Sequence, residues 1–340
     1  MIIKLLTPDI IKKFDSNEML KAYDRWPEIA EESFTTNYRP IYFSGINHIV
    51  IAGMGGSGAL GDIFASIMSK SKVHVSVVKG YLLPKTVDKN TLVITISISG
   101  DTIETLTVLK AANELDCNVI AFSSGGKMEK MCLEKGIQYR KIPFVHSPRT
   151  SFISFLFSIL KILNSVIPVK ENEVYETINA LVKQRKIISS ENLSVNNSAI
   201  ELAKSINGIP LIYFPAGLQA VAIRFKNSLQ ENAKIHAMVE DVIEASHNGI
   251  VSWEKSSNIL PILIQGEDDY IKTKERWSIF KEFFEINNIE YKEIKSLKGS
   301  IFSKLINLIY FLDYTTIYHA LLNNIDPSPV RAIEFIKAKL

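Results

Sequence analysis

The feature that most constrains this chain is a series of short apolar runs, each stopped by glycine or hydroxyl residues and followed by a helical stretch. The first is His48–Ala52; others lie at 73–78, 92–96 and 119–122, with a short fifth near 139–142. These runs are apolar throughout rather than alternating, which predicts strands buried on both faces. Helical stretches fall between them at 58–69, 102–115 and 126–135. Strand and helix in alternation predict a parallel sheet covered on both sides, a doubly wound α/β fold of flavodoxin-like type.

The alternation stops and then restarts. Residues 149–205 carry no comparable strand run and read as helical, with a long apolar helix over 152–166 and an amphipathic one over 171–188. The polar segment 189–198 reads as a hinge or loop. Strands then return at 209–214, 259–265 and 291–295, separated by helices at 218–233 and 272–287 and closed by helices at 300–323 and 329–339. Residues 7–34 read as one or two surface helices. The expected division is 1–170 for N-terminal helices and a first domain, 171–200 for a helical linker, and 201–340 for a second domain. With 340 residues, two domains suit the length.

Composition excludes several classes. A 46% hydrophobic and 22% charged chain is globular rather than disordered or fibrous. A net charge of +3 gives no reason to expect nucleic acid as the main partner. The two cysteines, Cys117 and Cys132, fit no zinc or CxxC spacing, so the chain reads as reduced and intracellular. No stretch reaches the roughly 18 uninterrupted apolar residues of a membrane helix. The N-terminus resembles an amphipathic helix rather than a signal peptide. A cytoplasmic protein is the expectation, without membrane or nucleic acid.

Two loops carry the candidate chemistry. Gly53-Met54-Gly55-Gly56-Ser57-Gly58 follows the first strand, and Ser97-Ile98-Ser99-Gly100-Asp101-Thr102 follows the third. In a doubly wound sheet such loops lie at the carboxyl ends of the strands, where ligands bind. Glycines let a backbone approach an anion, and helix N–H groups and hydroxyls donate to it. The first loop contains G-x-G-x-x-G, the dinucleotide pattern. Yet the next apolar run ends in Lys79, where a ribose would need an acid, and the second loop is rich in hydroxyls. That combination favours a single phosphate monoester over a nucleotide. As helix caps, Ser97, Ser99 and Thr102 have an alternative, purely structural use.

At these residues a resemblance becomes specific. Residues 97–105, SISGDTIET, resemble the S-x-S-G-x-T-x-E-T signature of sugar isomerase (SIS) domains. Together with the glycine loop they resemble the phosphoglucose isomerase superfamily, and within it the bifunctional phosphoglucose/phosphomannose isomerases of archaea and bacteria. The likeness spans about residues 20–340. Residues 224–234, RFKNSLQENAK, are similar to the family's R-x-K-x-x-x-x-E-N-x-K helix, and 246–253, SHNGIVSW, to its N-H-N-E-I-V-G-W stretch. Pro148-Arg149 resembles the P-R pair that opens the helix after the first SIS domain. The C-terminal Asp326-Pro327 stretch resembles the family ending and puts its lysine at Lys337. Gln230, Ser246 and Gly249 depart from the pattern, which bears on fine positioning and substrate preference.

The resemblance implies two SIS domains and an aldose–ketose isomerase. It would interconvert glucose 6-phosphate, and mannose 6-phosphate, with fructose 6-phosphate through a metal-free cis-enediolate, using no cofactor. Such chemistry needs a base that reaches C1 and C2, a permanent positive charge for the enediolate oxygens, and a group to open the sugar ring. By family position these roles fall to Glu231, to Arg149, and to His247 assisted by Lys337. The phosphate falls to Gly56, Ser57, Gly58, Ser97, Ser99 and Thr102. Glu244 reads as structural. None of the six histidines forms an H-x-H or H-E-x-x-H pair, so no metal is expected. The resemblance also implies a homodimer in which His247 serves the neighbouring subunit's site. Two rivals share SIS domains. The amidotransferring isomerase of glucosamine 6-phosphate synthesis would need a glutaminase domain or partner, and no nucleophilic cysteine stands near Met1. A non-enzymatic sugar-phosphate sensor would not be expected to keep Glu231, His247 and Lys337 together.

Overall fold

Three helices precede the first strand in the computed structural model, which describes residues 5–340: α1 (Pro8–Phe14), α2 (Met19–Asp24) and α3 (Trp26–Thr35). Asp15 separates the first two. Its carboxylate accepts from the backbone N–H of Met19 at 2.8 Å and of Leu20 at 2.9 Å and so caps α2. Expected on the surface, α2 and α3 are instead core elements: Met19, Leu20, Tyr23 and Trp26 are at most 1% exposed. Of the scattered polar residues that suggested a surface, Asp9 and Asn17 are exposed, but Asp24 is half-buried and Asp15 is buried.

Residues 25–179 form one compact unit. Its elements after α3 are β1 (His48–Ala52), α4 (Gly56–Met68), β2 (His74–Val78), β3 (Thr91–Ser97), α5 (Ile103–Asn113), β4 (Asn118–Ser123), α6 (Gly126–Lys135), β5 (Gln138–Lys141) and α7 (Pro148–Ile162). The strands make one parallel sheet in the order β2-β1-β3-β4-β5, with Val50 opposite Val93 and Ile94 opposite Ile120. Every residue of β1 and β3 is buried, the polar His48, Thr91, Thr95 and Ser97 included. This is the flavodoxin-like order, and its switch point brings the loops after β1 and β3 side by side. On one side α3 packs against α7, where Trp26 stacks on Phe152 at 6.0 Å between ring centroids.

The second unit comprises residues up to Asp24 together with 180–340, and the division falls within α8 (Glu171–Ile188). It contains α9 (Ser198–Ser205), β6 (Ile209–Phe214), α10 (Gln219–Ser228), β7 (Met238–Asp241), α11 (Val242–Ala245), β8 (Ile259–Gln265), α12 (Ile271–Ile286), β9 (Lys292–Lys295), α13 (Ile301–Leu322) and α14 (Arg331–Lys337). The sheet is again parallel, in the order β7-β6-β8-β9, the same topology with one strand fewer. Its edge strand β7 has no counterpart in the sequence reading. Four residues long, half-exposed and ending in two acids, it lacks the apolar run that betrays a central strand. Tyr213, Trp253, Trp277, Phe280 and Phe284 fill one face of the sheet. The helix α13 is long and apolar enough to cross a bilayer, but 89% of its apolar window is buried inside the protein, against α9, α10 and α2.

Candidate active site

In the first unit the two loops are built from each other. The Ser57 hydroxyl accepts the backbone N–H of Ile98 at 3.2 Å, tying the β1–α4 loop to the β3–α5 loop. Ser97 donates its hydroxyl to Thr102 Oγ1 at 3.0 Å and accepts from the N–H groups of Gly100 at 3.1 Å and Thr102 at 3.4 Å. Ser99 accepts from the N–H of Asp101 at 3.3 Å. Ser57 and Ser97 are buried, Thr102 is half-buried and Ser99 is exposed. These hydroxyls are engaged within the loop and not as helix caps, for Thr102, at the N-cap position of α5, makes no side-chain capping bond. Gly56, Ser57 and Gly58 form the first turn of α4, and Thr102 immediately precedes α5. Two helix N-termini thus begin at neighbouring loops, where unpaired N–H groups and the helix dipoles favour an anion.

Gly100 makes this architecture possible. Its φ is +80°, and a Cβ on it would lie 1.8 Å from the carbonyl oxygen of Gly125. Arg149 stands in the same unit, in the first turn of α7, which is opened by a Ser147–Thr150 capping box. That turn adjoins the glycine loop, since a Cβ on Gly56 would come within 3.3 Å of the Pro148 carbonyl oxygen. Arg149 is buried. Lys79, which counted against a nucleotide, pairs with Asp62 of α4 at 2.6 Å. Burial pushes the Asp62 carboxyl above its ordinary range, and the bond to Lys79 partly offsets this.

In the second unit, Glu231 is not on a regular α-helix. After Ser228 the chain widens into a π-helical turn, Leu229–Ala233, and leaves it through Lys234 at φ +59°. Such turns disturb the regular ladder and recur at functional sites. Here the turn is pinned from three directions. The buried Asn232 donates to Thr316 Oγ1 at 2.8 Å. Ser228 donates to Asp313 at 2.8 Å. The Lys234 ammonium donates to the Glu231 carbonyl at 2.6 Å and to that of Pro327 at 3.3 Å. The Asp326-Pro327 segment is thereby joined to the Glu231 turn. Lys337, ten residues further on, sits on the exposed α14, and its side chain makes no hydrogen bond or ion pair among the described residues.

His247 lies in the turn after α11, exposed, with its backbone N–H donating to the Glu244 carbonyl at 2.9 Å. Glu244 in turn accepts from Asn248 at 2.8 Å, a structural use of the kind foreseen. Trp253 anchors the following turn by donating to Tyr213 at 2.9 Å. Gly249, where the family pattern has Glu, faces the Glu240 carboxylate, whose Oε1 would be 2.3 Å from a Cβ at that position. Burial and the neighbouring Glu244 push the Glu240 carboxyl above its ordinary value. Among the described residues no three His, Cys, Asp or Glu side chains cluster as metal ligands.

Asp313, Thr316 and Tyr23 support the Glu231 turn and escaped the sequence reading. A signal for the first exists, because Asp313 is the sole acid within the apolar α13, and a buried charge requires a partner.

Two parallel sheets of flavodoxin-like order, the first with a hydroxyl loop at its switch point, define an SIS-domain protein, and the SIS domain family matches residues 42–132. The bacterial phospho-glucose isomerase C-terminal SIS domain family matches residues 195–340. A bifunctional phosphoglucose/phosphomannose isomerase from Caldicellulosiruptor bescii is 32% identical over 306 residues, 87% of this chain and 90% of that protein. One from Thermoplasma acidophilum is 31% identical over 90% of this chain and 93% of its own length. The fold also matches the crystal structure of a hypothetical protein from Thermus thermophilus, with a TM-score of 0.72 at 14% identity over 97% of this chain and 91% of that one. The chain belongs to the family of bifunctional phosphoglucose/phosphomannose isomerases.

Proposed function

We propose that this protein interconverts glucose 6-phosphate and mannose 6-phosphate with fructose 6-phosphate. The observation that carries the reading is Glu231, a half-exposed carboxylate on a pinned π-helical turn in a chain of this family. A carboxylate so held suits the transfer of one proton between adjacent carbons. The phosphate binds at Gly56, Ser57, Gly58, Ser97, Ser99 and Thr102, where two helix N-termini favour an anion. His247, assisted by Lys337, opens the ring by moving the O1 proton to the ring oxygen. Glu231 removes the C2 proton of the open aldose, giving a cis-enediolate whose oxygens Arg149 stabilises with a charge that is never lost. Glu231 returns the proton to C1 as the O2 hydroxyl proton passes to O1, leaving the ketose. Atoms and charge balance without metal or cofactor. Because C2 becomes planar in the enediolate, protonation there from either face accounts for both aldoses.

The working form in this reading is a cytoplasmic homodimer whose His247 serves the neighbouring subunit, with no nucleic-acid or membrane partner. The test of the central role is Glu231→Gln, which keeps the shape and removes the base. It should lose at least the roughly 10²–10⁴-fold typical of a general base while still binding a phosphorylated sugar acid. Full activity in this variant would end the mechanism. Wild-type activity should survive exhaustive chelation.

A further inference from the structure

A helix that stops in the left-handed region is commonly closed by glycine, because a Cβ there is strained. The π-helical turn that carries Glu231 stops at a lysine. Lys234 holds φ +59°, with its backbone N–H donating to the Leu229 carbonyl. A residue kept in such a conformation against its backbone preference points to a task for its side chain.

The bonds of that side chain show the task. Although Lys234 is exposed, its ammonium folds back over the end of the turn. It donates to the carbonyls of Glu231 at 2.6 Å, Asn232 at 3.3 Å and Pro327 at 3.3 Å. The first two stand at a helix end, where the ladder leaves carbonyls without donors. The third belongs to another stretch of chain, 93 residues on. That stretch is itself held. The Asp326 carboxylate accepts the Ser328 N–H at 2.9 Å, closing a turn around Pro327, and it also accepts the Ser16 hydroxyl. Pro327 leads into α14, the helix that carries Lys337. On its other side the Glu231 turn is fixed to α13 by buried side chains. Arg224 pairs with Asp313 at 2.6 Å, Tyr23 and Ser228 donate to the same carboxylate at 3.0 and 2.8 Å, and Asn232 reaches Thr316. The turn is thus braced from α13 through side chains and from Lys234 through its backbone.

We infer that Lys234 is a positioning residue for the reaction, its ammonium holding the backbone of Glu231 in register with the Asp326–Pro327 segment. The inference rests on the reading of Glu231 as the base. That carboxylate must serve two adjacent carbons in turn, and a misplacement of about 1 Å costs roughly 10²-fold in rate. Its side chain is placed no better than the backbone that carries it. Closing the helix would by itself be served better by glycine, which takes the same conformation without strain and leaves the carbonyls to water. Lysine at this position gives up backbone stability and in return joins the turn to the segment that leads to Lys337.

The experiment compares wild type with Lys234→Gly and Lys234→Asn, which both suit the left-handed backbone and lack the ammonium. Steady-state kinetics with fructose 6-phosphate are read beside urea unfolding. Both variants should lose at least roughly tenfold in kcat and keep KM within about twofold, because the phosphate loops lie in the other unit. Their urea midpoints should stay near that of wild type, since relief of the backbone strain offsets the lost bonds. Lys234→Cys alkylated with bromoethylamine rebuilds an ammonium of the same reach and should recover kcat. Wild type treated alike controls for Cys117 and Cys132. An unchanged kcat in Lys234→Gly, a loss confined to KM, or a kcat that alkylation of Lys234→Cys does not raise overturns the inference. Glu231→Gln is measured alongside. With that variant inactive, those results count against Lys234 alone; if it is fully active, the base assignment fails and this inference with it.

Discussion

Gly100→Ala tests whether the phosphate loop is built as described. The new Cβ would sit 1.8 Å from the Gly125 carbonyl oxygen, whereas carbon and oxygen rest at roughly 3.3 Å. The two loops must part by about 1.5 Å to admit it. Opposing that movement are the Met128 N–H bond to the Gly100 carbonyl at 2.9 Å and the Ser124 N–H bond to the Ile98 carbonyl at 3.1 Å. The Lys127 N–H bond to Asp101 at 2.9 Å opposes it as well. Each is worth about 1 kcal/mol. The positive φ adds roughly 1–2 kcal/mol for any residue with a Cβ. The expected loss is roughly 3–5 kcal/mol. Gly136→Ala is the control in the same unit. Its φ is +66°, yet nothing lies within 4 Å of the added carbon, so only the conformational cost of roughly 1–2 kcal/mol applies. Urea unfolding of both variants, with KM for fructose 6-phosphate, makes the comparison. Gly100→Ala should be the less stable by about 2 kcal/mol and should raise KM, while Gly136→Ala leaves KM alone. Equal losses would refute the argument from space.

Replacing Ser97 and Ser99 together by Ala should raise KM strongly, since each hydrogen bond to a charged group is worth about 1.5–3 kcal/mol; an unchanged KM would remove these residues from the phosphate site. Glu240→Gln should stabilise the protein at neutral pH. A carboxyl whose folded value is raised contributes stability below its unfolded value that is lost as pH rises, so the gain should vanish near pH 4 in urea titrations. A gain that persisted unchanged at pH 4 would exclude titration as its cause. Mixing inactive Glu231→Gln with inactive His247→Ala under subunit exchange should restore one intact site per heterodimer if the two residues serve from different chains. A monomer by sedimentation, or mixtures that stay dead after proven exchange, would count against the shared site.

Both parallel sheets and their central strands were legible because apolar runs such as His48–Ala52 and Ile259–Gln265 are buried on both faces and carry their own signature. The loops were legible for a related reason: glycines and hydroxyls must follow those strands if helices are to start there. Relatives about one-third identical over most of the chain agree with the family that the local motifs resembled. Tertiary structure alone decided the rest. The strand β7 exists because β6 offers it an edge, the amphipathic look of α2 concealed core residues, and the 22-residue α13 is a core helix because partners cover it. The π-helical turn under Glu231 was invisible along the chain for the same reason. Asn232 and Thr316 are 84 residues apart, and Ser228 and Asp313 are 85 apart, so the bonds that hold the turn form only once α10 and α13 have packed.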